Sequence, residues 1–162
     1  MPSYYQKFHV RWSDIDANRH VANTAYSNFM IHTRMSYLRD LGFTQVNFEH
    51  HQIGPAVLSE TFYYYKEVSV DASLRVDIAL DRLSEDDRFV RFAHGVFTED
   101  GSQAAFAHTL FCWLNLESRK IVDPPSHLAS IIKEMPRTED FQMLSRDERL
   151  AGLKHMERQI QV

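Results

Sequence analysis

Val10-Arg11-Trp12-Ser13-Asp14-Ile15-Asp16-Ala17-Asn18-Arg19-His20-Val21-Ala22-Asn23 crowds two carboxylates, two amides and an imidazole into one short link. Before it, residues 4–12 interleave Tyr5, Phe8, Val10 and Trp12 with Gln6, Lys7, His9 and Arg11, the mixed pattern of a short strand. After it, Tyr26, Phe29, Met30, Thr33, Tyr37, Leu38 and Leu41 recur at three- and four-residue steps and stop at Gly42. That spacing predicts one long helix with a buried face, a glycine stop and Asn23 or Thr24 as N-cap. A link feeding a helix in this way sets ionisable side chains beside unpaired backbone N–H groups at the positive end of a dipole, an arrangement suited to an oxyanion.

Working outward, residues 43–55 read as a connection punctuated by His50-His51 and Gly54-Pro55. Ala56–Lys66 is rich in aromatics, and Ser73–Asp81 alternates almost residue by residue, so both read as strands. Glu85-Asp86-Asp87 marks a turn. Arg88–Thr98 and Ala104–Leu116 form a hairpin through Glu99-Asp100-Gly101-Ser102, where Asp-Gly is the turn signal. The second of these runs is apolar on both faces, as for an interior strand covered by the helix on one side and by something else, such as a second subunit, on the other. After Asp123-Pro124-Pro125, His127–Met135 reads as a short helix. From Thr138 to Val162, Phe141, Leu144, Leu150, Leu153 and Met156 keep roughly helical spacing, which predicts one amphipathic helical tail. The order of elements defines an α+β domain in which an antiparallel sheet of about five strands wraps one long central helix.

At 162 residues, with 44% hydrophobic and 12% aromatic side chains, the chain has material for one domain with a real core. A formal charge of -4 and no Lys/Arg-rich run argue against a nucleic-acid partner. Cys112 is the lone cysteine, so neither an intrachain disulfide nor a cysteine metal cage is available, and a reducing cytoplasm is the expected setting. The N-terminus has no apolar signal region and no apolar run is long enough for a membrane span, which predicts a soluble, unprocessed protein.

The order of elements, with Asp14-x-Asp16 at the strand-to-helix junction and Tyr26 near the helix start, resembles the hot-dog fold. More narrowly, it resembles the acyl-CoA thioesterases similar to 4-hydroxybenzoyl-CoA thioesterase, over about residues 4–120. Asp16-x-Asn18-x-His20-Val21-x-Asn23 is also similar to the Asp-x-Asn-x-His-Val-Asn-Asn motif of acyl-carrier-protein thioesterases, with Ala22 where that motif has its first paired Asn. Asn18-Arg19 stands where Ala-Gly often follows in the first group. A chain one hot-dog unit long favours the smaller CoA-type enzymes. The organisation expected is a hot-dog thioesterase domain over 1–135 with 136–162 as its C-terminal amphipathic helical extension.

The resemblance implies hydrolysis of an acyl-CoA substrate by a homodimer or homotetramer, with no cofactor and no metal. It assigns Asp16 as nucleophile or general base. A backbone N–H near Asn23 would supply the oxyanion donor that thioester hydrolysis needs. His20 is the second catalytic candidate, to polarise the thioester or serve as acid, or else to hydrogen-bond backbone. Asn18, Asn23 and Tyr26 are expected at the substrate. So are Ser59, Glu60 and Thr61, because the segment after the helix commonly completes a neighbour's site in hot-dog proteins. Asp14 suits a structural hydrogen-bonding role at least as well as a direct one. The aromatics Phe62–Tyr65 pack the sheet or line an acyl pocket. Two other functions compete: hydration or dehydration of an acyl thioester, for which a His-centred dyad is the sign, and non-catalytic binding of an acyl thioester. A Ser/His/Asp triad lacks its Gly-x-Ser-x-Gly elbow, and a phosphatase-like Asp-x-Asp lacks the continuous apolar strand before it.

Overall fold

A computed structural model describes residues 4–157 of the chain. β1 (Tyr4–His9) is followed by a 3-10 turn at Trp12–Asp14, so the strand ends sooner than the alternation of residues 4–12 suggests. The long helix α1 spans Asn23–Asp40 and buries Tyr26, Phe29, Met30, Thr33, Tyr37 and Leu38. It ends as the glycine predicts: the Gly42 N–H donates to Arg39 O, the Phe43 N–H donates to Leu38 O, and Gly42 takes φ +88°. That is a Schellman closure, with Phe43 packed in the same cluster as Leu38. Leu41 is the C-cap and is half exposed, outside the buried stripe.

The helix begins differently from expectation. The N-cap is Ala22 rather than Asn23 or Thr24, and no side chain caps the first turn. The Ala22 N–H is bonded to Asp14 O at 2.8 Å and Ile15 bridges Val21, which holds the chain extended up to residue 22 and makes Asn23 the first helical residue.

The connection over 43–55 contains a two-turn helix, α2 (Gln45–His51), started by a reciprocal Thr44–Asn47 capping box. Then come β2 (Ile53–Tyr64), β3 (Ser73–Leu83), β4 (Phe89–Thr98), β5 (Gln103–Asn115), α3 (Ser126–Lys133), β6 (Arg137–Met143) and α4 (Arg146–Glu157). The C-terminal helix is present but shorter than the periodicity implies, because residues 137–143 run as a sixth strand. Residues 158–162 of that expected helix, and the Met156 side chain, lie outside the described residues.

The sheet order is β1-β3-β4-β5-β2, antiparallel throughout, with β6 added parallel to β3. β1 pairs residues 73–78 of β3 and β6 pairs residues 80–83, so the two share one edge end to end. The inner face wraps α1, which is the hot-dog arrangement. Alternating Leu74, Val76, Ile78 and Leu80 of β3 are buried there. On the outer face, Leu144 in the link before α4 and Leu153 of α4 cover Phe89, Leu110 and Cys112. The chain's own tail therefore supplies the second cover of the β5 run. A Cβ at Gly152 would stand 3.2 Å from both Leu110 and Leu58, which is how close α4 lies to the sheet.

The β3–β4 ladder is interrupted between Val76↔Val96 and Ala79↔Ala93. There Asp77 O is bonded to His94 Nδ1 at 2.7 Å, and the Gly95 N–H donates to Asp77 Oδ1 at 2.6 Å. Two side chains thus take backbone partners that the ladder leaves open. His94 is fully buried, and burial, reinforced by the nearby Arg34 charge, pushes its imidazole down to about 3. The unfolded chain therefore binds a proton below about pH 6.5 that the folded chain refuses, and stability falls as pH drops from there towards 3. Urea titrations at pH 7 and pH 5 should show the wild type losing up to about 1.4 kcal/mol per pH unit from this group, a loss absent in His94→Gln. Parallel pH dependences would contradict it.

Candidate active site

The link before α1 is built by its own backbone. The Asp16 N–H donates to His20 O and the Arg19 N–H returns to Asp16 O, each at 3.0 Å, closing residues 16–20 into a turn with Arg19 at φ +65°. The turn is docked on the segment after β2, where His20 bridges Ser69 and the Val21 N–H donates to Val68 O at 2.7 Å.

The two carboxylates of the link sit in different surroundings. Asp14 is buried and held by Arg11, whose Nη2 and Nε lie 2.9 and 3.1 Å from its oxygens, with the Arg11 N–H at 2.9 Å. The Arg11 side-chain hydrogen bonds hold its carboxyl below the usual carboxylate range. Asp16 is exposed on this chain; its Oδ1 accepts the Asn18 N–H at 2.8 Å, and Oδ2 accepts no hydrogen bond from the described residues. Asp14 is thus committed to structure, whereas Asp16 keeps one oxygen open.

Asp16, Asn18, His20, Val21, Asn23 and Tyr26 line one cavity of about 610 Å³ with Tyr64, Tyr65, Lys66 and Glu67. The size suits a small-molecule site. Because α1 has no side-chain cap, the Asn23 and Thr24 N–H groups have no acceptor among the described residues. His20 Nε2 lies 3.4 Å from Glu67 Oε2. Tyr26 meets Tyr64 edge-on at 5.3 Å, and burial pushes its phenol up to about 12, so it stays neutral. Lys66 is tied to Asp100 at 3.1 Å, which anchors this wall to the β4–β5 hairpin.

Ser59, Glu60 and Thr61 do not line this cavity. Ser59 and Thr61 are exposed on β2, while Glu60 turns under α1, where Arg34 lies 3.2 Å away. Lys66 and Glu67 are lining residues that the sequence pattern does not mark. Their placement comes from the bridge between His20 and Ser69, a contact between segments far apart in the chain. Among the described residues no three His, Cys, Asp or Glu gather as a metal-holding group, and no helix is long and apolar enough to cross a membrane.

A sheet wrapped round one long helix, with a carboxylate-bearing loop at the helix start, is a hot-dog domain. A family model described as the thioesterase-like superfamily matches residues 10–132, and the chain belongs to that superfamily. No curated protein matches it significantly. Among solved structures it is similar to a 1,4-dihydroxy-2-naphthoyl-CoA thioesterase from Synechocystis, at 14% identity and TM-score 0.74 over 82% of this chain and 97% of that one. It is also similar to a gentisyl-coenzyme A thioesterase at 20% identity and TM-score 0.70, over 79% and 98% of the two chains. A Staphylococcus aureus protein described in complex with CoA is similar at 18% identity and TM-score 0.73, over 85% and 88%. At these identities the structural likeness establishes the fold.

Proposed function

We propose that the protein hydrolyses an acyl-CoA thioester, with Asp16 activating the attack as nucleophile or general base. The observation that carries this reading is that an open Asp16 oxygen and the uncapped first turn of α1 line the same cavity. The Asn23 and Thr24 amides would hold the tetrahedral oxyanion, where loss of one such donor costs about 3 kcal/mol of transition-state stabilisation. His20, braced by Glu67, orients the thioester, Asn18 fixes Asp16 through its backbone N–H, and Tyr26 supplies a neutral wall. The thiolate leaving group needs little protonation, so no strong acid is required. The thioesterase and CoA descriptions of the similar structures support the substrate class.

The working form on this reading is a cytoplasmic homodimer or a homotetramer built from such dimers. β2 is an edge strand of twelve residues with Val57 and Tyr63 exposed, a surface that a second copy would cover by pairing edge to edge. Such pairing would bring the partner's β2, with its exposed Ser59 and Thr61, towards the site. Incubation with a panel of acyl-CoA and acyl-carrier-protein thioesters should release thiol from the CoA series. Co-purification of an intact acyl thioester without thiol release would make the protein a binding module instead.

A further inference from the structure

Behind this site α1 and β2 run in opposite directions: Tyr26 meets Tyr64, Ser27 and Arg34 meet Glu60, and Ile31 and Leu38 share a cavity with Pro55 and Val57. The groove between them changes character along its length. Its near end is the candidate site. Its far end is a cavity of about 190 Å³ with an almost wholly apolar lining that includes Phe111 and Trp113. Between the two lies a polar belt. Glu60 Oε1 accepts from Arg34 Nη2 at 3.2 Å and from Thr109 Oγ1 at 3.0 Å, and Ser27 Oγ lies 3.4 Å from Oε2. Arg34 is 8% exposed and Thr109 is fully buried.

An ion pair set across an apolar core is costly to desolvate, and breaking it by displacing one partner is costlier still. A hydrocarbon tail offers these groups no hydrogen bond, so it cannot pass without leaving buried charge unpaired. The aromatic contact in front is a weaker obstacle, since Tyr64 is half exposed and its hydroxyl makes no hydrogen bond among the described residues. The belt is tied to α1, β2 and β5 at once.

We infer that Arg34, Glu60 and Thr109 form the floor of the acyl pocket, restricting the substrate to short acyl groups and shutting them out of the distal cavity. This rests on the reading that the thioester sits at the start of α1. Affinities of non-hydrolysable thioether analogues of acetyl-, hexanoyl- and palmitoyl-CoA, measured by calorimetry beside hydrolysis of the matching thioesters, test it. The wild type is expected to bind the palmitoyl analogue about tenfold or more below the hexanoyl one. Arg34→Met with Glu60→Leu removes both charges together, which avoids a stranded ion, and should raise palmitoyl affinity relative to acetyl affinity about tenfold, equivalent to about 1.4 kcal/mol. Ile31→Trp, which fills the distal cavity from α1, should abolish that gain in the double variant and leave the wild-type length profile as it was.

Equal binding of all three analogues by the wild type overturns the inference, as does an unchanged length profile in a double variant that is folded by circular dichroism. If the double variant does not fold, the wild-type background still decides. Weaker hexanoyl binding in Ile31→Trp alone would mean that the chain already reaches the distal cavity and would overturn the floor. Binding without hydrolysis defeats the catalytic reading and leaves the length profile legible. Hydrolysis with a flat profile defeats the floor alone, and absence of any binding defeats both.

Discussion

Asp16→Asn is expected to lower kcat for acyl-CoA hydrolysis by about 10²–10⁴-fold, the range associated with a positioned base. The substitution isolates chemistry from architecture. Asp16 Oδ1 accepts the Asn18 N–H that shapes the loop, and an Asn side chain keeps an oxygen there. The reciprocal backbone bonds between residues 16 and 20 and the docking of Val21 on Val68 do not involve the side chain. What disappears is the negative charge and its open oxygen, so the melting temperature and KM should stay near the wild-type values while kcat falls. Asp14→Asn is the informative contrast, because it weakens the Arg11 clamp beneath the loop and should act through stability. Full activity in Asp16→Asn would defeat the mechanism. If His20→Ala abolished turnover while Asp16→Asn spared it, the His20–Glu67 pair would become the reacting dyad and hydration of the acyl thioester the better reading.

The parts of this fold that are legible in the sequence are those whose signal is local. The three- and four-residue spacing from Tyr26 to Leu38 is the buried face of α1, Gly42 closes it, and Asp100-Gly101 turns the β4–β5 hairpin with Gly101 at φ +81°. Elements defined by distant partners are not legible. Arg137-Thr138-Glu139-Asp140 has no strand pattern, and it becomes β6 because β3 offers an open edge beyond the end of β1. In α2 only Phe48 is buried, so periodicity is silent and the one available cue is the Thr44–Asn47 capping box. The site divides the same way. The crowded link is visible as a motif, whereas Lys66 and Glu67 reach it through the fold. Arg34 did leave a trace: it falls on the apolar stripe of α1, and an arginine there requires an acidic partner, which the structure identifies as the half-buried Glu60.

Asp81→Asn is expected to destabilise the protein by about 3–5 kcal/mol, the cost of stranding buried charge when one partner is removed. Asp81 lies on the outer face of β3 with only 4% of its side chain exposed. It takes charge-assisted contacts from Arg82 at 3.0 Å and from Arg91, a hydrogen bond from Thr138 at 3.1 Å, and faces His108 Nε2 at 3.7 Å. Arg82 in turn donates to Asp140 O at 2.7 Å, and Arg91 reaches Glu148 at 3.5 Å. One carboxylate therefore joins the sheet to both β6 and α4. Without its charge, Arg82 and Arg91 face each other across a half-buried space, and the tail, which meets the cluster through Thr138, Asp140 and Glu148, loses those ties. Hydrogen exchange should accelerate first over residues 137–157, ahead of the strands wrapped round α1. Cys112 gives a second readout, since it lies under that tail with its thiol pushed up to about 11 by burial and should resist thiol reagents while α4 is seated. Asp81→Asn should be labelled there well below the global unfolding transition. Wild-type stability and wild-type labelling in the variant would show that apolar packing at Gly152, Leu153 and Leu144 holds the tail without the ion cluster.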